Sequence, residues 1–352
     1  MPRVIITTVG TSLLGNIKRD RKLEKPTDQD LSNYLRHTNP VEASAETNSL
    51  SRLLVEGNEI VLVHSETDEG KQCAEMLGKH FESSGYKVTL HKVRYLSYAE
   101  SQFKMRGLCS LVGDLCELIR QEQKAGKEIC INATGGFKAE IAYSTLVGLL
   151  FDIPVYYIHD AFHDIIEMPK TPISWDYSLL AEHERFFEWI FEADRSIAEV
   201  ERQMQSEQIP SEARLLLTEM GGHTVLSPAG IAFYEAFLVR KEKVESVPIY
   251  LSSKARGTLD AAEPSVKELF LRTMEKLRFR ELRLSQSERV GNSDCLVFPR
   301  GHRPERIFYF EEEWGSLRIY ELCRHGDNYE KLLEKGVYKA DYHDFEDAAL
   351  RS

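Results

Sequence analysis

The chain has 352 residues, 42% of them hydrophobic and 29% charged, and 45 Lys+Arg against 56 Asp+Glu leave a formal charge of −11. That is the composition of a folded chain, and the length suits two or three domains of roughly 100–200 residues each. A simple basic nucleic-acid coat is excluded, so an anionic ligand must be held by local groups.

Strand-like and helix-like patterns alternate first. Strands are expected at Arg3–Val9, Glu59–His64, Lys87–Val93, Glu128–Asn132 and Pro154–His159. Helical periodicity fits Gly70–Ser84, Leu108–Lys124 and Ala139–Phe151, with Gly85 and Gly126 placed as helix C-terminal caps. This alternation predicts βαβ units in a mostly parallel sheet covered on both faces. The stretch Leu14–Asn39 is too charged for core and reads as a loop or insertion beside the first strand. The amino terminus carries no charged-then-apolar signal layout, and Asp152 and Pro154 interrupt the longest apolar stretch, Tyr143–Ile158. A cytoplasmic protein without a membrane span is expected. The six cysteines show no C-x-x-C spacing, which predicts reduced thiols and no metal site.

Ser178–Glu207 reads as one long amphipathic helix. After Ile209-Pro210 come a helical Ala213–Met220, a Gly221-Gly222 turn and a helix from Pro228 to Arg240. This segment, 176–246, is either a small winged-helix-like connector or a plain helical linker. From 247 onward the expected order is strand Pro248–Ser252, a helical Ser253–Leu277 interrupted at Pro264, three strands and a last helix. Those strands are Cys295–Phe298, Arg306–Glu311 and Leu317–Cys323, and the helix is Asn328–Glu334. Between Lys276 and Arg306 eight Lys/Arg face four acids, a local +4 in an acidic chain.

Two glycine turns stand at strand ends. Thr8-Val9-Gly10-Thr11-Ser12 follows the first strand, and Asn132-Ala133-Thr134-Gly135-Gly136-Phe137-Lys138 leaves the fourth and opens a helix. Open α/β sheets bind ligands at the carboxyl ends of strands, where the strand order reverses. Glycines allow close backbone approach, and the helix N-terminus and Lys138 add positive charge. Hydroxyls of Thr11, Ser12 and Thr134 complete a set suited to phosphate or ribose. Neither G-x-G-x-x-G nor G-x-x-x-x-G-K-[ST] is present.

These turns resemble those of the CARF domain, the Rossmann-like sensor of CRISPR-associated effectors, over residues 1–175. The resemblance implies that Gly10, Thr11, Ser12, Asn132, Thr134, Gly135, Gly136, Phe137 and Lys138 contact a cyclic oligoadenylate, most naturally cyclic tetra-adenylate, as an allosteric activator. It also implies a homodimer, because a ring of four identical nucleotides matches a two-fold axis. Some members cleave their ligand, and Ser12 and Lys138 are placed to assist.

The last part, 247–352, resembles the RelE-like mRNA interferases in its element order and in the stretches Pro299–Phe310 and Leu317–Tyr329. The resemblance implies a small α+β ribonuclease that cuts mRNA on the ribosome by attack of the 2′-hydroxyl, without a metal. Arg306 and Arg324 match the phosphate-stabilising arginines and Tyr329 the nucleotide-stacking tyrosine, with His325 and Arg300 as further candidates. The family's paired lysines have no counterpart, since Leu296, Val297 and Phe298 stand there. Such chemistry needs an in-line 2′-hydroxyl, cations on the phosphate and a proton carrier. Two alternatives differ in fold. Arg318 and His325 satisfy the R-x(4–6)-H spacing of helical HEPN ribonucleases, though the alternating run around Arg318 favours a strand. A DNA-reading winged-helix connector would instead make the chain a ligand-responsive transcription regulator.

Overall fold

The computed structural model describes residues 3–97, 103–159, 164–169, 173–244, 246–291, 293–301, 303–326 and 329–348. His302, Asp327 and Asn328, which belong to the stretches carrying the second resemblance, lie outside the described residues. The chain divides into two compact units, Met1–Trp175 with Glu188–Ala236, and Asp176–Phe187 with Phe237–Ser352. The middle segment, read from sequence as a separate connector, is thus shared between them.

In the first unit, β1 (Arg3–Val9), β2 (Glu59–His64), β3 (Lys87–Lys92), β4 (Glu128–Asn132), β5 (Val155–Tyr157) and β6 (Ile166–Met168) form one sheet ordered β3-β2-β1-β4-β5-β6. All neighbours pair in parallel except β5 and β6. From β1 the chain winds outward through β2 and β3 and then returns to place β4 on β1's other side. The order therefore reverses between β1 and β4, the position at which open sheets bind ligands.

The stretch expected as a loop is helical. It holds α1 (Ser12–Arg21) and α2 (Asp28–His37), followed by α3 (Pro40–Ala43) and α4 (Ala45–Leu53). Leu13, Leu14 and Ile17 of α1 and Leu31, Tyr34 and Leu35 of α2 are buried in one core with Ile5, Ile60 and Leu62. The charges that suggested a loop occupy the opposite faces, and a capping box between Thr27 and Asp30 starts α2. Further along, α5 (Asp68–Ser83), α6 (Leu108–Lys124) and α7 (Lys138–Leu150) fall where the periodicity placed them.

The long helix expected at 178–207 is broken. It becomes α8 (Ser178–Glu182), α9 (Glu184–Glu192), the short β7 (Arg195–Ser196) and α10 (Ile197–Ser206). Ser196 caps α10 through a reciprocal box with Glu199, which starts a new helix where the apolar spacing alone would have continued the old one. Residues 213–220 are likewise not one helix. A 3-10 turn over Ser211–Leu216 leads into a hairpin of β8 (Leu217–Met220) and β9 (His223–Leu226). Its loop, Gly221-Gly222, has φ +57° and +83°, the backbone a two-residue hairpin requires. β7 adds to β9, giving the order β7-β9-β8, and α11 (Pro228–Val244) follows.

The second unit is built on a sheet ordered β11-β12-β13-β14-β10-β15. Its strands are β10 (Ile249–Ser252), β11 (Glu288–Arg289), β12 (Leu296–Phe298), β13 (Glu305–Glu311), β14 (Leu317–Arg324) and β15 (Phe345–Asp347). Helices α12 (Ser253–Ala261), α13 (Pro264–Leu277), α14 (Arg280–Gln286) and α15 (Tyr329–Lys335) complete it, Pro264 opening its helix where proline costs nothing. β14 is a strand over its whole length, so Arg318 and His325 do not share a helix as the HEPN reading requires.

Two glycines of the first unit test its packing. A Cβ on Gly148 would collide with the Val155 side chain and reach 3.1 Å from the Ile153 carbonyl, whereas one on Gly113 of α6 meets nothing within 4 Å. Gly148→Val is expected to lower stability by about 2 kcal/mol or more through overpacking, and Gly113→Ala to raise it by about 0.5–1 kcal/mol, both read from urea unfolding.

Candidate functional site

The glycine turns after β1 and β4 interlock. A Cβ on Gly10 would lie 2.7 Å from the Gly136 backbone nitrogen, and one on Gly135 would lie 2.5 Å from the Thr8 carbonyl. Gly136 has φ +95°, a conformation glycine adopts without penalty. The Thr8 hydroxyl donates to the Gly135 carbonyl at 2.6 Å and locks the two turns together. Above them opens a cavity of about 560 Å³ lined by Gly10, Thr11, Ser12, Thr134, Gly135, Gly136, Phe137 and Lys138. Arg19, Asn16, Tyr157 and His159 also contribute to its wall.

Asn132, expected to contact the ligand, lies beneath the cavity and is fully buried. Its amide donates to the Ser49 hydroxyl at 2.8 Å, and its carbonyl oxygen accepts from the Thr134 hydroxyl at 2.8 Å. Thr134 Oγ1 in turn accepts from the Ile158 N–H at 3.2 Å. Asn132 therefore shapes the turn rather than facing a ligand. Phe137 keeps almost half its surface exposed and meets Phe103 edge-on at 5.1 Å.

Two carboxylates that the sequence reading did not single out stand in the same wall. Glu46, fully buried on α4, accepts from the Gly10 N–H at 2.8 Å and from the Ser12 hydroxyl at 3.1 Å. Ser12 Oγ also accepts from the Ala45 N–H at 3.0 Å, so this hydroxyl is already committed in both directions. Glu140, in the first turn of α7, is 4% exposed and accepts from the Phe137 N–H. Burial pushes both carboxyls upward, against those hydrogen bonds, and takes Glu140 to about 7. The one available signal was the Ser44–Thr47 capping pattern, which marks a helix starting beside Glu46.

In the second unit the basic residues have diverse positions. Arg306 is 2% exposed; its guanidinium donates to the carbonyls of Arg303 (2.6 Å), Glu305 (2.8 Å) and Gly301, and lies 5.4 Å from the centre of the Tyr329 ring. It braces the loop before β13 instead of facing a phosphate. Tyr329 is buried against Phe308 and His325, and burial pushes its phenol upward. Arg283 is also internal, forked onto Glu311 at 3.0 and 3.3 Å, and Arg303 pairs with Glu182. Of the eight basic residues behind the local +4, Arg283 and Arg306 are thus buried and Arg303 is paired, while Arg280, Arg289 and Arg300 are exposed. Arg324, His325 and Arg300 are exposed. Arg324 stands opposite Glu305 in the β13–β14 pairing, and the His325 N–H donates to the Pro304 carbonyl at 2.6 Å, so both adjoin the loop that carries Arg300.

No disulfide joins the six cysteines, and five of them are buried. Among the described residues no three His, Cys, Asp or Glu side chains are grouped to hold a metal ion, and no helix is long and apolar enough to cross a membrane.

Residues 41–171 match the family described as CRISPR-associated protein (Cas_APE2256), a stretch that contains α4, β4 and the second glycine turn. Among solved structures the chain is similar to protein VC1899 from Vibrio cholerae, at 10% identity and a TM-score of 0.29 over 69% of this chain and 67% of that one. It is also similar to Can2 from Sulfobacillus thermosulfidooxidans in complex with cyclic tetra-adenylate, at 9% identity and a TM-score of 0.24 over 94% and 84%. Both scores are too low to assign a fold.

Truncating Arg306 leaves three carbonyls without their donor, whereas Arg324 holds no such buried network. Arg306→Ala is expected to destabilise β13 and β14 by about 3 kcal/mol, and Arg324→Ala to change them by less than about 0.5 kcal/mol, read from amide hydrogen exchange of the two strands.

Proposed function

We propose that this chain is a cyclic-oligoadenylate-responsive effector of CRISPR antiviral defence, with a sensor in the first unit and an RNA-cutting site in the second. The observation that carries the reading is the meeting of both glycine turns in one cavity, at the point where the strand order reverses. Lys138 and Arg19 supply positive charge there, and Phe137 presents an exposed ring on which a base can stack. The match of residues 41–171 to a CRISPR-associated family supports the same reading. The ligand is cyclic tetra-adenylate, held between two copies of the chain in a homodimer whose axis the ring shares.

The second unit acts as a metal-independent, RelE-like endoribonuclease on mRNA held in the ribosome. Arg324 and Arg300 neutralise the scissile phosphate, and His325, the exposed titratable group beside them, moves a proton. Arg306 and Tyr329 hold the loop and the strand end in place. The ring must favour one arrangement of the effector domains over the other for such a switch to work. Cleavage of the ring by the sensor would rely on Lys138, since Ser12 already donates to Glu46. A DNA-reading regulator is the second reading, favoured by the β7-β9-β8 sheet; only the six-residue turn Ser211–Leu216 precedes its hairpin where a recognition helix would lie.

Calorimetry with cyclic tetra-adenylate is expected to give saturable heat, and Lys138→Ala to weaken association at least tenfold; absence of heat with any adenylate ring removes the sensor. With the ring and translating ribosomes, the chain should cut mRNA, and Arg324→Ala should reduce cutting at least a hundredfold. A DNA shift with intact mRNA would select the regulator instead.

A further inference from the structure

The features that make this cavity attractive to an anion are already occupied by anions of the protein itself. The Gly10 N–H, which a phosphate would use at the β1 turn, is bonded to Glu46. The Phe137 N–H at the start of α7, which a phosphate would use at the β4 turn, is bonded to Glu140. The two carboxyls are not equivalent. Glu46 receives two donors and is fully enclosed, so it is a fixed part of the β1 turn. Glu140 has one backbone donor, lines the cavity, and sits so close to Gly136 that a Cβ there would collide with its carboxyl.

Resting on the sensor reading, we infer that a phosphate-bearing ligand at the β4–α7 turn binds with Glu140 in its neutral form, so that association takes up a proton and Glu140 sets the pH range of the response. Two negative groups cannot share one dehydrated helix terminus without a large Coulomb cost, and a protonated carboxyl removes that cost while gaining an O–H donor. Burial already brings this carboxyl to about 7, so little free energy is needed to complete its protonation near neutrality. The other charged or titratable groups on the cavity wall are Lys138 on the same turn, Glu46 on α4, Glu42 on α3, Arg19 on α1, Tyr157 on β5 and His159 beyond it. α6, which packs on α7, contributes none to that wall. Lys138 and Arg19 attract the ligand; Glu46, whose carboxyl burial also pushes upward, and His159 are the groups that the experiment must separate from Glu140.

The sign follows from the linkage. Below pH 7 the carboxyl is neutral before the ligand arrives and association needs no proton. Above pH 7 each association must protonate Glu140, so the association constant falls as pH rises, by up to about tenfold per unit for each site. Calorimetry of the full chain with cyclic tetra-adenylate, from pH 6 to 8.5 in buffers of different ionisation heat, reads both the slope and the protons taken up. The wild type should take up close to one proton per site at pH 8. Glu140→Gln, which keeps the acceptor for Phe137 and the side-chain volume, should take up none and bind about tenfold more tightly than wild type at pH 8, but equally at pH 6. Binding by wild type with a flat profile overturns the inference and leaves the sensor intact. A slope that persists in Glu140→Gln overturns it, in favour of the histidine where the slope vanishes in His159→Gln and of Glu46 where it does not. No binding by either protein at any pH overturns the inference together with the sensor reading.

Discussion

The first unit depends on the parallel pairing of β1 with β4, which sets Thr7 beside Asn132 and so brings two glycine turns to one place. Neither turn is a site alone. Their backbones approach so closely that a side chain at Gly10 would strike the Gly136 main chain, and one at Gly135 both the Thr8 carbonyl and the Glu46 carboxyl. The Thr8 hydroxyl and the Asn132–Thr134–Ile158 chain of hydrogen bonds then hold the pair in a fixed relation. A rigid, backbone-lined wall of this kind lets a ligand meet N–H groups without first ordering a loop, which lowers the entropy lost on binding.

Where arginine and carboxylate stand relative to water decides which charges are free to act. In the second unit Arg283 and Arg306 spend their donors on carbonyls and on Glu311, and Arg303 is paired. Counted along the chain they look like a basic patch; in the fold they are braces. Removing one partner from such a buried network costs far more than the intact network contributes, which makes these residues essential to the unit without making them chemical participants. Of the candidate residues at this end of the sheet, Arg300, Arg324 and His325 are the exposed ones.

Local pattern revealed the strands and their neighbours well, because β-branched runs such as Arg3–Val9 and Glu59–His64 leave one choice of structure. The final sheet was legible for the same reason: alternation through Leu317–Cys323 fixed a strand and thereby separated Arg318 from a helical ribonuclease motif. Elements were missed where polar residues dominate one helix face. Leu14–Asn39 showed its charges, while its burial depends on a core supplied by Ile5, Ile60 and Leu62 from elsewhere. The single long helix at 178–207 failed because apolar spacing carried past Ser196, where a cap restarts the helix. Of the cavity wall, the glycines and Lys138 were visible in sequence. Glu46 and Glu140 were not, since a glutamate declares itself part of a site only through the N–H groups it meets and the water it loses.

Those two carboxylates alter how the cavity must be understood. An empty anion site built from backbone donors would bind any small anion, and a cell holds many. By filling the strongest donor positions with its own carboxyls, the protein makes a lone anion compete against a partner already in place, whose effective concentration is high because it is part of the fold. Only a ligand with further contacts, such as a stacked base at Phe137 or a second phosphate at Lys138 or Arg19, gains enough to replace it. Occupation by an internal anion would thus work as a threshold: displacing it costs every ligand the same free energy and leaves relative affinities unchanged, but only a ligand with further contacts still binds after that cost.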